Sequence, residues 1–299
     1  MNLDEWSRFG WQGIEFDIPA EWGLSKIEGD RNTGYLRIDD EDMVRLEGKW
    51  SAAQKGKYDL EKEIASQLKQ LDKRARKAGL ETTTRRKLKL VRFKERSWEC
   101  FYWKGDFVAY NLLTYCEGCG RVLLLRVLFR EDEPAREVSR RVFESISDHN
   151  EECRDYWSVF GLKLHVPTNF TLKKSSLKTG EIRLLFDREK KEQLEVIRVS
   201  LAEYHLRERT LEQWFERFMV KELRPFAWTQ ETARIHEHSG FRLEGRQRMM
   251  RRLLPFKRRH LACNVWNCQE SDKLFILHFT MKDPNDPVFE EICASIECH

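Results

Sequence analysis

The chain has 299 residues, 40 % hydrophobic and 12 % aromatic, which is enough material for one large core or two ordinary ones. Charged residues reach 35 % with both signs interleaved, and the net charge of +4 is too small to imply a nucleic-acid partner by itself. No run approaches the ~18 apolar residues of a membrane span, and eight cysteines are too sparse for a disulfide scaffold.

The first segment, MNLDEWSRFGW, carries Asp4 and Glu5 and has no apolar stretch of the signal-peptide kind. A cytoplasmic protein with reduced thiols is the expectation. Residues 14–18 alternate and stop at Pro19, as a strand running into a turn does. Residues 35–38 and 43–46 predict a hairpin across an acidic turn. Leu60, Ile64, Leu68, Leu71 and Ala75 then recur at helical spacing, and Gly79 closes that helix. Strand-like runs follow at 88–93, 98–103, 107–115 and 122–129. Pro134 opens a short helix with Val138, Val142, Phe143 and Ile146 on one face.

The second half predicts strands at 162–166, 182–186 and 194–199. A helix over 211–223 is capped by Thr210, with Gln213 completing a capping-box pattern, and ends before Pro225. Strand-like runs at 232–236, 241–243, 261–266 and 274–280 precede a closing helix near 288–296. The halves also share text. WQGIEFDIPAEW at 11–22 and WSVFGLKLHVPTNF at 157–170 align Gly13, Ile14, Phe16, Ile18, Pro19 and Trp22 with Gly161, Leu162, Leu164, Val166, Pro167 and Phe170. Further pairs of segments follow in the same order, including the closing Ser145-Ile146 and Ser295-Ile296. An internal duplication predicts two tandem domains, 1–150 and 151–299. Each is expected to be α+β: an antiparallel sheet with a long helix after three strands and a helix at its end.

FDIPAEW and its second copy, the place of the long helix, and the final strand-plus-helix unit resemble the PsbP-like family of α/β/α sandwiches. That family includes a Ran-binding relative and small bacterial lipoproteins of the DcrB-like kind. The resemblance spans nearly the whole chain, twice. It implies an assembly or adaptor role and carries over no site residue.

Cys116-Glu-Gly-Cys119-Gly-Arg121 has the form of a knuckle whose thiolates bind zinc. The strand after it runs away and the helix after Pro134 returns, so His149 and Cys153 could complete a Cys116, Cys119, His149, Cys153 site. The alternative is a pair of free turn thiols or a redox-labile pair. Cys263, Cys268, Cys293, Cys298 and His299 could form a degenerate counterpart, with Cys263 and Cys293 equally suited to plain core packing. Residues 69–96 and 246–260 are strongly basic. Arg74, Arg76, Arg85, Arg86, Arg251, Arg252, Arg258 and Arg259 could form one polyanion-binding face, or simply solvated edges. His236 and His238, two apart, could share one side of a strand and hold a metal. No phosphate loop or nucleophile elbow is present, so no catalytic or cofactor-binding residue is assigned. The expected function is that of a non-enzymatic, cytoplasmic binding or assembly protein with a protein partner and no membrane contact. The alternative is a basic nucleic-acid-associated protein with a structural zinc knuckle.

Overall fold

Two residues with positive φ, Gln12 (55°) and Gly13 (75°), turn β1 (Trp6–Trp11) directly into β2 (Ile14–Pro19). A two-residue loop with both φ values positive matches the right-handed twist of paired strands, and it fixes the register that sets Phe9 opposite Phe16. The computed structural model describes residues 4–53, 58–94, 96–148, 152–189, 192–248 and 259–299. The chain divides into two units, Met1–Asp155 and Tyr156–His299.

In the first unit, β3 (Gly23–Gly29), β4 (Thr33–Asp39) and β5 (Val44–Ala52) precede α1 (Leu60–Lys77). Then follow β6 (Thr83–Arg85), β7 (Arg96–Lys104), β8 (Val108–Cys116), β9 (Arg121–Phe129) and α2 (Ala135–Glu144). They build a seven-stranded antiparallel sheet in the order β3-β4-β5-β9-β8-β7-β6. One face packs Phe101, Trp103, Leu113 and Tyr115 against Ile64, Leu71 and Ala75 of α1. The other face meets the β1–β2 hairpin and α2, with Trp22 and Phe129 ring centroids 6.4 Å apart.

The second unit begins within β10 (Arg154–Val159) and holds β11 (Leu162–Pro167), β12 (Thr171–Lys178), β13 (Glu181–Arg188) and β14 (Glu192–Ser200). Three short helices follow, α3 (Ala202–Leu206), α4 (Leu211–Phe218) and α5 (Val220–Leu223). Next come β15 (Phe226–Ile235), β16 (His238–Gln247), β17 (His260–Cys268), β18 (Lys273–Met281) and α6 (Val288–Ala294). Its sheet order is β12-β13-β14-β18-β17-β16-β15. Trp214 and Phe215 of α4, Met219 between the helices and Leu223 of α5 bury one face with Phe241, Leu243 and Ile276.

The expected helix-covered, PsbP-like α+β sandwich is corrected. Strand dominates both units, and among the described residues only α1 is longer than ten residues. Much of the covering that such a sandwich assigns to helices is done here by hairpin strands. Trp157 of β10 stacks edge-on to Phe186, with centroids 4.9 Å apart. Two local expectations also change. Residues 88–93 form no strand: Lys87 takes φ 54°, and the adjacent pair Leu90 and Val91 is buried, which breaks the alternation of a pleated strand. The helix expected over 211–223 is broken at Met219, whose φ of −105° and ψ of 18° separate α4 from α5. The capping box stands, with Thr210 Oγ1 accepting from Gln213 N and Gln213 Oε1 accepting from Thr210 N. No described helix is long and apolar enough to cross a membrane.

Candidate functional site

The knuckle thiols lie where β8 ends. Gly120 N donates to the Cys116 carbonyl at 2.9 Å, which closes the turn into β9. Cys116 is buried and Cys119 exposed, and the third group beside them is Asp148, with all three ligand atoms within 4.8 Å of one another. His149 lies outside the described residues. Cys153 is exposed, with φ 55°, and does not converge with the pair, so Asp148 takes the place expected for it. Asp148 is nearly fully buried and already paired. Arg96 Nη2 donates to its Oδ1 at 3.0 Å, and Arg121 Nη1 donates to its carbonyl at 2.9 Å. Although part of its surface is open, partial loss of water around the sulfur and the Asp148 charge push the Cys119 thiol up to about 11. The guanidinium of Arg96 supplies the positive charge that a metal would bring.

A second cluster forms in the other unit. His238 opens β16, Cys268 closes β17, and Cys298 and His299 follow α6. The ligand atoms of these four side chains all lie within 4.8 Å of one another. His238 Nε2 stands 3.2 Å from Cys298 Sγ. His299 Nδ1 stands 3.6 Å from both Cys268 Sγ and Cys298 Sγ. Around them, Ser271 Oγ donates to Cys268 Sγ at 3.0 Å, and His299 Nε2 is 2.9 Å from Glu270 Oε2. Burial and the neighbouring Cys268 push the Cys298 thiol up to about 11, and burial holds His238 below the usual imidazole value. Cys263 and Cys293 are buried apart from this cluster, where Cys293 Sγ accepts from Asn264 Nδ2. The expected strand pair of His236 and His238 is corrected. His236 and Glu237 form the positive-φ turn between β15 and β16, and His236 Nε2 meets the Cys293 carbonyl at 2.7 Å.

Of the eight arginines expected on one basic face, Arg74, Arg76, Arg85, Arg86 and Arg259 lie among the described residues. Arg86 is held by Glu99 through two contacts of 2.8 Å and by Glu61 at 3.1 Å. Glu99 is buried and needs that counter-charge, so Arg86 belongs to the fold. Arg74 and Arg76 sit exposed in the last turn of α1, where a cation complements the helix dipole. Arg85 lies over the Tyr102 ring at 5.9 Å. The Arg259 carbonyl accepts from Gln247 N. Arg251, Arg252 and Arg258 lie outside the described residues. A cleft of about 810 Å³ between residues 89–93 and α2 mixes Lys89, Arg92, Arg136 and Arg140 with Glu137 and Glu144, and Arg140 and Glu144 stand 4.0 Å apart as an ion pair.

A third feature gave no sequence signal. Leu201, between β14 and α3, takes φ 61° and ψ 51°, a left-handed conformation costly for a branched side chain. Ala202 N donates to the Asp272 carbonyl at 3.2 Å and Glu203 N to the Asp272 carboxylate at 2.8 Å, which holds the turn. Leu201 is 60 % exposed and Tyr204, three residues on, 66 % exposed. Arg207 stacks its guanidinium over the Tyr204 ring at 5.7 Å.

No family model matches the sequence, and no curated protein matches it. Among solved structures, the chain is similar to the immunity protein TplEi of T6SS from Pseudomonas aeruginosa in complex with an "L" peptide. Identity is 12 %, coverage is 99 % of each chain and the TM-score is 0.34. It is also similar to a chain of the Tle4–Tli4 complex at 9 % identity, covering 100 % of this chain and 99 % of that one, TM-score 0.31. A protein from Bacteroides thetaiotaomicron shares 11 % identity over 77 % of this chain and 82 % of its own, TM-score 0.29. The first two structures are complexes with a peptide and with a protein. Scores of this size leave the function to be argued from the chain itself.

Proposed function

We propose that this is a non-enzymatic protein-binding protein, and that Leu201 and Tyr204 are at the centre of its contact surface. The observation that carries this is the strained, exposed display of Leu201. Single exposed leucines are ordinary on protein surfaces. A leucine held at positive φ is not, because the conformation costs about 1–2 kcal/mol and persists only where the surroundings enforce it. Here Asp272 enforces it through two backbone amides, and buried Ala202 anchors the turn between the two exposed side chains. Leu201 and Tyr204 stand exposed on either side of that anchor, one before α3 and one within it, with Arg207 against the ring. Tyrosine and arginine are enriched where partner proteins are gripped.

The strain gives a test that separates binding from folding. Leu201→Gly removes the side chain and relieves the backbone, so stability rises by about 1 kcal/mol. The same variant, combined with Tyr204→Ser, is expected to lose the protein that co-purifies with the wild-type chain from its native cells. Equal recovery of that protein by the doubly substituted chain would overturn the proposal.

A further inference from the structure

We propose that His238, Cys268, Cys298 and His299 form a tetrahedral site for a zinc ion in the second unit. The proposal is independent of the Leu201–Tyr204 surface. Two thiolates and two imidazoles are a donor set that suits Zn²⁺, whose bonds run about 2.3 Å to sulfur and about 2.0–2.1 Å to nitrogen. A regular tetrahedron with those bonds has edges of about 3.5 Å between sulfur and nitrogen, and about 3.8 Å between the sulfurs. The sulfur–nitrogen separations are 3.2 Å for His238 and Cys298 and 3.6 Å from His299 to each cysteine. The set is therefore spaced close to coordination geometry without a rearrangement of the backbone.

The surrounding groups fit the same role. The Glu270 carboxylate stands on Nε2 of His299, which leaves Nδ1 with its lone pair toward the sulfurs. A carboxylate on the far nitrogen of a ligating histidine fixes the tautomer and raises ligand basicity. Ser271 Oγ donates to Cys268 Sγ, an outer contact that orients the sulfur. The donors come from three places in the chain: the start of β16, the end of β17 and the segment after α6. One ion would tie that last segment to the sheet.

The first unit provides the contrast. Arg96 opens β7 opposite Cys116, and its guanidinium pairs with Asp148. A fixed cation beside Cys116, Cys119 and Asp148 repels a second one. In the other cluster the strand-opening residue is His238, which can be neutral and can ligate. The neighbouring cation there is Lys273, opposite Cys268 in register, and among the described residues no carboxylate pins it against the thiols as Asp148 pins Arg96.

Full-length protein without an affinity tag, purified under reducing conditions and exposed to zinc, is expected to hold about one zinc per chain after desalting. Cobalt in its place should show the intense visible bands of a tetrahedral sulfur–nitrogen site. Cys298→Ser and His238→Ala should each abolish stoichiometric metal, whereas Cys116→Ser with Cys119→Ser should keep it. Glu270→Gln alters an exposed side chain, so folding is retained while zinc affinity falls about tenfold. Folded wild-type protein that stays metal-free overturns the proposal. So does a Cys268–Cys298 disulfide in protein purified under those conditions, or metal that is lost with Cys116 and Cys119 instead.

Discussion

His278 shows how much one buried side chain can matter. It lies mid-strand in β18, with Glu195 of β14 and Cys263 of β17 beside it in register. Its Nε2 is buried with no hydrogen-bond partner among the described residues, and burial pulls the imidazole down to about 4. Glu222 of α5 opposes that shift and Arg183 of β13 adds to it, both more weakly than burial. The folded value lies below the ordinary 6.5, so stability is full above about pH 6.5 and falls as pH drops toward 4. The loss approaches about 1.4 kcal/mol per pH unit below 6.5 and about 3 kcal/mol in all. Glu195 works the other way, because burial raises its carboxyl above the usual value and protonation then favours the folded state. Urea midpoints at pH 7 and 5.5 read this loss together with that of His238, which is also held below the usual value, and His278→Leu should reduce the difference between them. An unchanged slope in that variant assigns the acid sensitivity elsewhere. In the sequence, His278 is one polar letter inside LFILHFTM, and nothing there marks its neighbours. Cys268, Cys298 and His299 could be grouped from the text, but joining His238 to them needs the β16–β17 register, which no local pattern encodes. Leu201 was invisible for a related reason: a φ angle leaves no trace when the residue that adopts it is not glycine.

Element ends were more legible than element edges. Gly79 follows α1 with φ 69°, its N–H donates to the Arg76 carbonyl at 3.2 Å, and Leu80 N donates to the Ala75 carbonyl at 3.0 Å. These two bonds are the Schellman closure that a glycine after a helix signals. A Cβ at Gly79 would meet nothing within 4 Å, so substitution tests the backbone alone. Gly79→Ala is expected to cost about 1 kcal/mol, read as a shift in urea midpoint without a change in slope. No loss would mean that the left-handed turn is not populated. Strands at sheet edges, by contrast, escaped the sequence pattern. β12 reads TLKKSSLK and buries none of its residues fully. An edge strand needs no continuous apolar face, and lysines there discourage pairing with other chains. With both edges of each sheet under-read, the helices carried too much weight and the fold was expected to be α+β.

Across the whole chain, 54 basic and 50 acidic side chains nearly balance, and their pairing is graded by burial. Arg45, 3 % exposed, is clamped between Asp40 and Glu133, with Nη1 and Nη2 contacts to Glu133 of 2.7 and 2.8 Å. Arg188 is held by Glu192 at 2.9 Å and by Asp286. Lys26 and Glu28, both more than half exposed, make a 3.3 Å pair that water and salt screen. Removing one partner of a buried pair strands the other charge, at a cost of about 3 kcal/mol or more. An exposed pair is worth less than about 1 kcal/mol. Arg45→Ala should therefore lower stability by about 3 kcal/mol, and Lys26→Ala by less than about 0.5 kcal/mol. Raising the salt from about 0.1 M to about 1 M shortens the screening length from about 10 Å to about 3 Å, yet the Arg45 deficit should persist because its partners are held inside that distance. The same logic applies to the basic run at 69–96. If Arg86 serves Glu99, Arg86→Ala unfolds the protein at lower urea and leaves any DNA affinity unchanged. If instead that variant keeps full stability and flattens a steep salt dependence of DNA binding, the run is a polyanion surface after all, and the assignment of Arg86 to the fold is wrong.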